Sequence, residues 1–324
     1  MLKRLVNNAV IKLTITPVDP LLIKSSQATV SGVNMSFVRT RHRGGLGEPF
    51  IPGSSLKGVL RSYGEKICRT LRTQPVPVCL PYVEVGREKD VEKGQASCGL
   101  RFEKYKKDRK LNTLPTNEIY RHSCPACRLF GSHDYIGRLA TSDAYLSTGS
   151  SAVFEVRDGV AIDRLTGGAA GSAKYDLEVL VRGTFSTTLE IQNFERWQLG
   201  MVALILRDME QELIRIGSGG SRGLGRIKAA ITEFQLGYYG RPVRSFSGVT
   251  ALATQDECQL YGFHPERPTD IPLPSPDQQG LRHVYDIKET WKDLLTPAVD
   301  DLVGYIETVR WPASIVSYTG GRNA

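Results

Sequence analysis

The residues of this chain best suited to chemistry are cysteines in its first half. Cys124 and Cys127 form a Cys-x-x-Cys turn. Such a turn brings two thiolates to one tetrahedral ion, and a structural Zn²⁺ site needs two further ligands. The candidates for these are Cys79, Cys98 and His122. We therefore predict a structural zinc site, closed by four protein ligands; a redox dithiol is the alternative, but no thioredoxin-like βαβ context precedes the turn.

A second candidate site is the segment 50–61, whose pattern predicts a strand end, a Pro-Gly turn and a helix. Either Ser54 or Ser55 can cap the helix by accepting a hydrogen bond from a free backbone N–H. Lys57 and Arg61 lie one helical turn apart. Free N–H groups, the positive end of the helix dipole and two cations favour an anion. The alternative is an ordinary capped amphipathic helix.

Two further segments could contact anions through charge or exposed backbone. The first is a basic loop before the helix, with Arg39, Arg41, His42 and Arg43. The second is the glycine-rich segment 217–225, which follows a predicted helix and precedes a predicted strand. Nucleotide-binding fingerprints need the order strand, loop, helix, so we expect no nucleotide cofactor. The alternative for the basic loop is an ordinary solvated loop, and the alternative for the glycine-rich segment is a helix C-cap.

Composition narrows the class of protein. The 324 residues carry a net charge of +8 with a pI near 9.1, which favours a polyanionic partner. No apolar run reaches membrane-spanning length and no apolar leader follows the N-terminus, so we expect a cytoplasmic protein without a membrane partner. No GxSxG, HExxH or paired-carboxylate motif indicates a hydrolase.

Hydrophobic periodicity predicts an α+β fold. Residues 9–16 alternate as a half-buried strand, and helical spacing follows from the Pro-Gly turn to about residue 71. The later predicted elements are strands at 138–146 and 152–157, a loop at 158–176, an extended run from 177, a helix at 194–215 and a strand at 227–231. This order matches the split βαβ plan and predicts a ferredoxin-like (RRM-like) core.

The remaining residues are predicted to decorate this core. We expect a domain at 1–235, with a polar surface insertion at about 72–137. The proline-rich residues 236–324 are predicted to form an irregular C-terminal extension, with a possible helix at 286–307.

Three segments, in this order, resemble motifs of the RAMP superfamily of CRISPR–Cas proteins, and most closely those of the repeated backbone subunit of type III effector complexes. They are Ile-Pro-Gly-Ser-Ser-Leu-Lys-Gly at 51–58, Cys-Pro-Ala-Cys-Arg-Leu-Phe-Gly at 124–131 and Gly-Gly-Ser-Arg-Gly-Leu-Gly at 219–225. The resemblance covers roughly residues 9–235. It implies an RRM-like palm, a zinc-bearing insertion and a thumb hairpin at about 157–183.

The resemblance also implies the partners, namely a crRNA guide, a complementary target RNA and other Cas subunits. Binding to the guide backbone would be tolerant of sequence, because phosphate contacts carry no base information and pairing supplies specificity. Carried over by position, the predicted guide contacts are Arg39, Arg41, His42, Arg43, Gly53, Ser54, Ser55, Lys57, Arg61, Arg164, Gly219, Gly220, Ser221, Arg222 and Gly223.

Family members that cut target RNA use an Asp in the loop after the first strand, and Asn34 stands at the matching position here. Asn cannot act as a carboxylate base, so we predict little or no target cleavage. One alternative is a metal-dependent endoribonuclease that cuts target RNA or processes the guide with help from His42, Asp19 or Glu48. Another is a zinc-stabilised protein-interaction module without RNA.

Overall fold

The structure, a computed structural model, describes residues 2–25, 35–41, 47–80, 96–269 and 271–311. The predictions for Asn34, His42 and Arg43 lie outside the described residues. No helix within these ranges is both long and apolar enough to cross a membrane.

The described residues form strands and helices in the following ranges. The strands are β1 (Asn7–Pro17), β2 (Arg39–Thr40), β3 (Glu48–Ile51), β4 (Gly131–Ser132), β5 (Tyr135–Ile136), β6 (Leu139–Thr141), β7 (Ala144–Leu146), β8 (Val153–Ile162), β9 (Ala169–Arg182), β10 (Phe185–Gln192), β11 (Ile227–Tyr239), β12 (Asp277–Gln279) and β13 (Arg282–Asp286). The helices are α1 (Gly53–Leu71), α2 (Cys98–Asp108), α3 (Thr116–His122), α4 (Pro125–Phe130), α5 (Arg196–Glu210), α6 (Val249–Leu252), α7 (Gln255–Tyr261), α8 (Trp291–Leu294) and α9 (Thr296–Thr308).

An antiparallel sheet organises the fold. Its strand order is β12-β13-β11-β1-β10-β7-β3-β2, and β6 also pairs with β10. In β1, Ile11 lies opposite Leu189 of β10 and Phe234 of β11, and all three are buried. Lys12, the next residue, is exposed. The predicted alternation of β1 is therefore confirmed, and the protein is of the α+β class.

Helices α1 and α5 cover the buried face of this sheet. Leu60 of α1 and Val202 of α5 meet Leu189 of β10 around a small internal void. Helix α1 follows the predicted bounds. Helix α5 is shorter than the predicted 194–215, because the chain leaves the helix at Glu210 and Glu212 adopts a left-handed backbone with φ +63°.

The N-terminus of α1 is not capped by Ser54 or Ser55, so that prediction is wrong. The Gly53 N–H instead donates to Oδ1 of Asp143 at 2.7 Å. A Cβ on Gly53 would lie 2.6 Å from the Thr141 carbonyl oxygen, so only glycine permits this close approach. The turn between β6 and β7 supplies the cap, and a partner so distant in sequence leaves no local signal.

Residues 158–176, predicted as a loop, mostly belong to a two-stranded hairpin of β8 and β9. Arg157 pairs with Leu177 and Val160 with Lys174 across it. Much of β8 is exposed on both faces; the side chain of Val160, for example, is 52% exposed. Half-buried alternation, the usual sequence signal of a strand, is therefore missing here.

The described residues between α1 and β6, at 72–80 and 96–138, contribute to the core, which differs from the expected surface insertion. Phe102, Tyr120 and Leu129 are at most 1% exposed and belong to the same buried cluster as β1. The Tyr120 ring contacts two buried guanidinium groups, with Cζ of Arg128 at 5.0 Å and Cζ of Arg138 at 4.2 Å from its centroid. These cation–π contacts stabilise charged side chains inside the core.

The residues beyond 236 also build the fold. Strand β11 runs to Tyr239, β13 pairs with it, and α9 packs on α5. The possible helix at 286–307 is confirmed in large part, as two helices: α8 and α9 follow β13, which ends at Asp286. Arg196 of α5 donates to Asp301 of α9 at 2.6 Å, and both side chains are almost fully buried. This ion pair fixes α9 to the core.

Candidate metal centre and nucleic-acid interface

Four cysteines, Cys79, Cys98, Cys124 and Cys127, meet at one buried point. Their Sγ atoms all lie within 4.8 Å of one another. The sulfur of Cys79 lies 3.6 Å from that of Cys124 and 3.6 Å from that of Cys127. His122, the fifth candidate ligand, is not part of this group; its Nε2 lies 3.3 Å from Glu118. The sequence thus predicted all four cysteines as ligands, but it could not exclude His122 as a fifth candidate.

Helix ends hold these cysteines in place. Cys98 is the first residue of α2, and Cys124 is the N-cap of α4 with Cys127 in the first turn. The Cys127 N–H lies 3.4 Å from the Cys124 sulfur, and the Cys124 N–H lies 3.3 Å from the Cys98 sulfur. Backbone N–H groups at helix N-termini favour negative charge on sulfur. Cys79 joins from the segment after α1.

The residues present fit a Zn²⁺ ion. Zinc–sulfur bonds of about 2.3 Å place tetrahedral sulfurs about 3.8 Å apart, close to the two separations above. The separations are far longer than a disulfide bond. Hydrogen bonds from the thiols of Cys124 and Cys127 lower the pKa of Cys79, whereas burial raises the pKa of Cys124. Four sulfur ligands leave no open position, so a bound metal would be structural.

Two arginines border the cysteine centre. Nη2 of Arg61 lies 3.3 Å from the Cys127 sulfur and 3.9 Å from the Cys79 sulfur. The second is Arg101 of α2. Burial lowers the pKa of Arg101, whereas the charges of the nearby cysteines, Cys98 foremost, raise it. Sequence reasoning assigned Arg61 to RNA and missed Arg101, because the surroundings of both depend on contacts distant in sequence.

Lys57 and Arg61 border an open cavity of about 630 Å³, called here the Lys57 pocket. Helix α1 forms one wall, with Ser54 and Gly58 beside the two cations, and residues 130–137 form the other. Lys57 is half-buried, and burial, followed by repulsion from Arg61, lowers its pKa. Within the described ranges Lys57 has no ion pair. An anion entering this pocket would therefore meet an unneutralised cation.

A second cavity, of about 390 Å³ and called here the hairpin pocket, lies between the β8–β9 hairpin and the glycine-rich loop. Lys24, Arg157 and Arg222 supply positive charge, with Tyr175 on the hairpin. A Cβ on Gly159 would lie 2.2 Å from the Tyr175 ring, so the ring covers that glycine. The cavity thus combines cations with an aromatic side chain. Sequence reasoning missed Arg157 and Tyr175, since their segment showed no pattern.

The glycine-rich loop is held by close backbone contacts. Gly217 and Gly225 have φ of +78° and +86°. A Cβ at Gly217 would lie 2.3 Å from the Leu22 carbonyl oxygen. Exposed residues of this loop, including Ser221, Arg222 and Gly223, are predicted guide contacts, and Gly219 and Gly220 adjoin them at its partly buried base.

A third cavity, of about 590 Å³, lies beside the other two. It shares Gly58 with the Lys57 pocket and reaches Gly217, next to Ser218 of the hairpin pocket. Lys66 and Arg215 lie along it. The three cavities are together called the basic track, because their lining residues adjoin one another in series from α1 to the hairpin.

The other charged residues singled out by sequence lie apart from these cavities or are engaged within the protein. Arg39 forms a two-pronged ion pair with Glu178, with N–O distances of 2.7 and 2.6 Å. Arg41 and Arg164 are exposed. Asp19, one of the residues considered for the endoribonuclease alternative, accepts hydrogen bonds from two arginines.

These partners of Asp19 are Arg215, at 3.0 Å, and Arg226, at 3.1 Å. Desolvation by itself would raise the pKa of Asp19, but the two hydrogen bonds outweigh it, so this pKa is lowered. A carboxylate held by two guanidinium groups is poorly placed to bind a metal ion or to take up a proton. Glu48, the other carboxylate considered, lies in β3.

Comparison with known proteins gives one positive finding. A sequence profile describing the RAMP superfamily matches residues 14–228. The matched range spans well over half of the chain and contains the four cysteines and the whole basic track. A search of curated proteins found no significant match.

Proposed function

This chain belongs to the RAMP superfamily, and from this premise we propose that it is a guide-binding backbone subunit of a type III-like CRISPR RNA-targeting complex. Family membership indicates a CRISPR-associated RNA-binding module. The finer proposal is that the subunit holds the crRNA, accepts the complementary target RNA along it, and contacts other Cas subunits, without cutting the target itself.

The observation that carries this proposal is the basic track. Its cations lie at intervals along a path from Lys57, past Lys66, to Arg222 and Arg157. A line of cations separated along a groove suits the regularly spaced phosphates of a single strand, and an aromatic ring such as Tyr175 can stack on a base. Isolated anions or a flat acidic protein surface would not need such a path.

The fold supports the same reading. Strands β11, β1, β10 and β6 adjoin in that order, with α1 and α5 on one face. We propose that these elements form the ferredoxin-like palm and that the β8–β9 hairpin is the thumb. The cysteine centre, in this proposal, holds a structural Zn²⁺ that fixes the 72–137 insertion against the palm. When bound, the ion would supply four strong bonds between segments distant in sequence.

Quantitative RNA binding tests the guide-binding proposal. The double variant Lys57→Ala/Arg222→Ala should bind single-stranded RNA at least tenfold more weakly, because two unneutralised cations are lost. Each lost phosphate contact should also reduce the salt dependence of log Kd by about one unit. Unchanged affinity and salt dependence would contradict the proposal.

A cleavage assay tests the absence of nuclease activity. The assembled complex is incubated with labelled complementary RNA and Mg²⁺. We expect no cut assigned to this subunit, because Asn34 replaces the expected carboxylate and Asp19 is bound by two arginines. Cleavage that is lost on His42→Ala or Asp19→Ala would favour the endoribonuclease alternative.

A further inference from the structure

Arg61 joins the cysteine centre to the wall of the Lys57 pocket. Its Nε donates to Glu65 at 2.9 Å, its Nη1 donates to the Gly131 carbonyl oxygen at 2.8 Å, and its Nη2 faces the Cys127 sulfur at 3.3 Å. Every nitrogen of the guanidinium group therefore has a partner, and only 22% of the side chain is exposed. A planar fork with fixed angles can meet such a set of partners at once.

The electrostatics of a loaded centre explain why a cation lies there. One Zn²⁺ with four thiolates carries a net charge of −2. A buried double negative charge is costly unless cations or hydrogen-bond donors neutralise it. Arg61 remains protonated in proteins and reaches two of the four sulfurs. A metal-loaded centre should therefore hold this side chain firmly.

Gly131 begins the short hairpin of β4 and β5, which forms the pocket wall. A Cβ on Gly131 would lie 2.7 Å from the Gly137 nitrogen, and a Cβ on Gly137 would lie 2.3 Å from the Phe130 carbonyl carbon. The two ends of the hairpin are thus in direct backbone contact. A side chain that fixes Gly131 also fixes the base of the wall that faces Lys57.

We propose that Arg61 is a positioning residue that couples metal binding at the cysteine centre to the order of the 131–137 wall and to anion binding in the Lys57 pocket. The inference rests on the proposed function in that Zn²⁺ and RNA are the ligands proposed there. Coupling is reciprocal: a metal that orders the wall for RNA must itself bind more tightly when RNA is present. Arg61 is, in this view, a link between two sites and not primarily a phosphate ligand.

Hydrogen exchange of the peptide covering residues 131–137 measures the wall directly. It is compared in zinc-loaded protein and in protein stripped by a chelator, for the full chain and for Arg61→Gln. In the wild type, stripping should speed exchange about tenfold, a typical coupling magnitude. In Arg61→Gln, exchange should already be fast and should not respond to zinc.

Arg69→Gln is the matched control. Arg69 also contacts Glu65, at 3.6 Å, and donates to the Cys79 carbonyl oxygen at 3.3 Å, but within the described residues it forms no hydrogen bond with any of the four sulfurs. This variant should keep the wild-type response to zinc. Arg61→Lys keeps the charge but cannot span Glu65, Gly131 and Cys127, so it should retain more of the zinc affinity than Arg61→Gln while losing the coupling.

Competition with a chromophoric chelator gives a second measurement that also checks folding. Arg61→Gln should bind Zn²⁺ roughly 10 to 100-fold more weakly, as expected when a group bordering a metal site is removed. Its Co²⁺ form should still show the absorption bands of a tetrahedral thiolate site. Those bands establish that the variant is folded around the centre.

The outcomes separate this inference from the proposed function. If the wall of Arg61→Gln responds to zinc as the wild type does, the coupling is overturned, whatever the RNA affinity. If the wild-type protein binds no RNA, the proposed function fails, and hydrogen exchange still decides whether Arg61 couples the centre to the wall.

Discussion

Arg61 is enclosed beside the cysteine centre, whereas Arg222 of the hairpin pocket is exposed to solvent. Arg61 contacts two sulfurs, a carboxylate and a carbonyl oxygen. Arg222 is exposed, and in the described part of the chain its side chain has no ion pair. The same residue type therefore stabilises the protein in one region and remains available to a ligand in the other.

The role of a basic residue in this fold depends on the partners of its side chain. Lys57 and Arg61 lie one turn apart on α1 and were predicted to act alike. Arg61 points to the cysteine centre, while Lys57 faces the open pocket and lacks a partner within the described ranges. Burial and partners, not charge alone, separate the two roles. If this distinction is right, enclosed groups should affect stability and exposed cations should affect RNA binding.

The largest effect is expected from breaking the cysteine centre. Cys124→Ser should abolish stoichiometric zinc and lower the free energy of unfolding by about 4 to 5 kcal/mol or more, since loss of a metal site is among the most destabilising changes. Zinc content and urea unfolding measure both effects. Cys258→Ser is the matched control: this half-buried cysteine lies outside the centre, and its loss should change stability by less than about 1 kcal/mol.

The next effect concerns a second enclosed arginine, Arg196, whose partner is a buried carboxylate. Asp301→Ala should cost about 3 to 5 kcal/mol, because it leaves the buried guanidinium of Arg196 without its carboxylate. Asp158→Ala removes the exposed pair with Lys174, at 3.3 Å, and should cost less than about 1 kcal/mol. Equal losses in the two variants, measured by urea unfolding, would remove the contrast between enclosed and exposed charges.

Replacing an exposed cation should weaken RNA binding and leave the free energy of unfolding nearly unchanged. Arg222→Ala should leave the free energy of unfolding within about 0.5 kcal/mol of the wild type. It should lower RNA affinity by roughly tenfold and the salt slope by about one unit. Fluorescence anisotropy over a salt series gives both values. Lys288→Ala, an exposed cation outside the basic track, is the control and should change neither; a destabilised Arg222→Ala variant would argue against the comparison.

The smallest effect is expected at Arg39 and Glu178, an ion pair of intermediate exposure. Hydrogen bonds from Arg39 lower the pKa of Glu178, and partial desolvation opposes the shift. A lowered carboxylate pKa contributes stability above the unfolded-state value, and this contribution is lost as the pH falls through the folded-state value. Glu178→Gln should therefore cost about 0.5 to 1 kcal/mol at pH 7 and progressively less below pH 4. A cost that is constant with pH would contradict the assignment.

Periodicity and residue type predicted much of the fold. The alternation of β1, the helical spacing of α1 and the Cys-x-x-Cys turn are local patterns, and the structure places all three as predicted. The cap of α1 was not predictable, because Asp143 lies far along the chain. Hydrophobic pattern predicted a loop at 158–176 because β8 is largely exposed on both faces there, so no alternation marks it.

The candidate site was predictable in composition but not in assignment. The sequence named the four cysteines but could not exclude His122, whose contact with Glu118 is a property of the folded α3. It likewise named Lys57, Arg61 and Arg222 together. Only the partners of each side chain, which are set by contacts distant in sequence, distinguish Arg61, which borders the cysteine centre, from the other two.

The proposed function requires that this protein holds RNA along the basic track. The most direct measurement is the RNA content of natively purified protein, taken from its absorbance ratio at 260 and 280 nm and from extracted nucleic acid. We expect bound RNA in the wild type and a ratio near that of pure protein for Lys57→Ala/Arg222→Ala. A wild-type protein free of RNA would contradict the proposed function and favour a zinc-stabilised protein-interaction module.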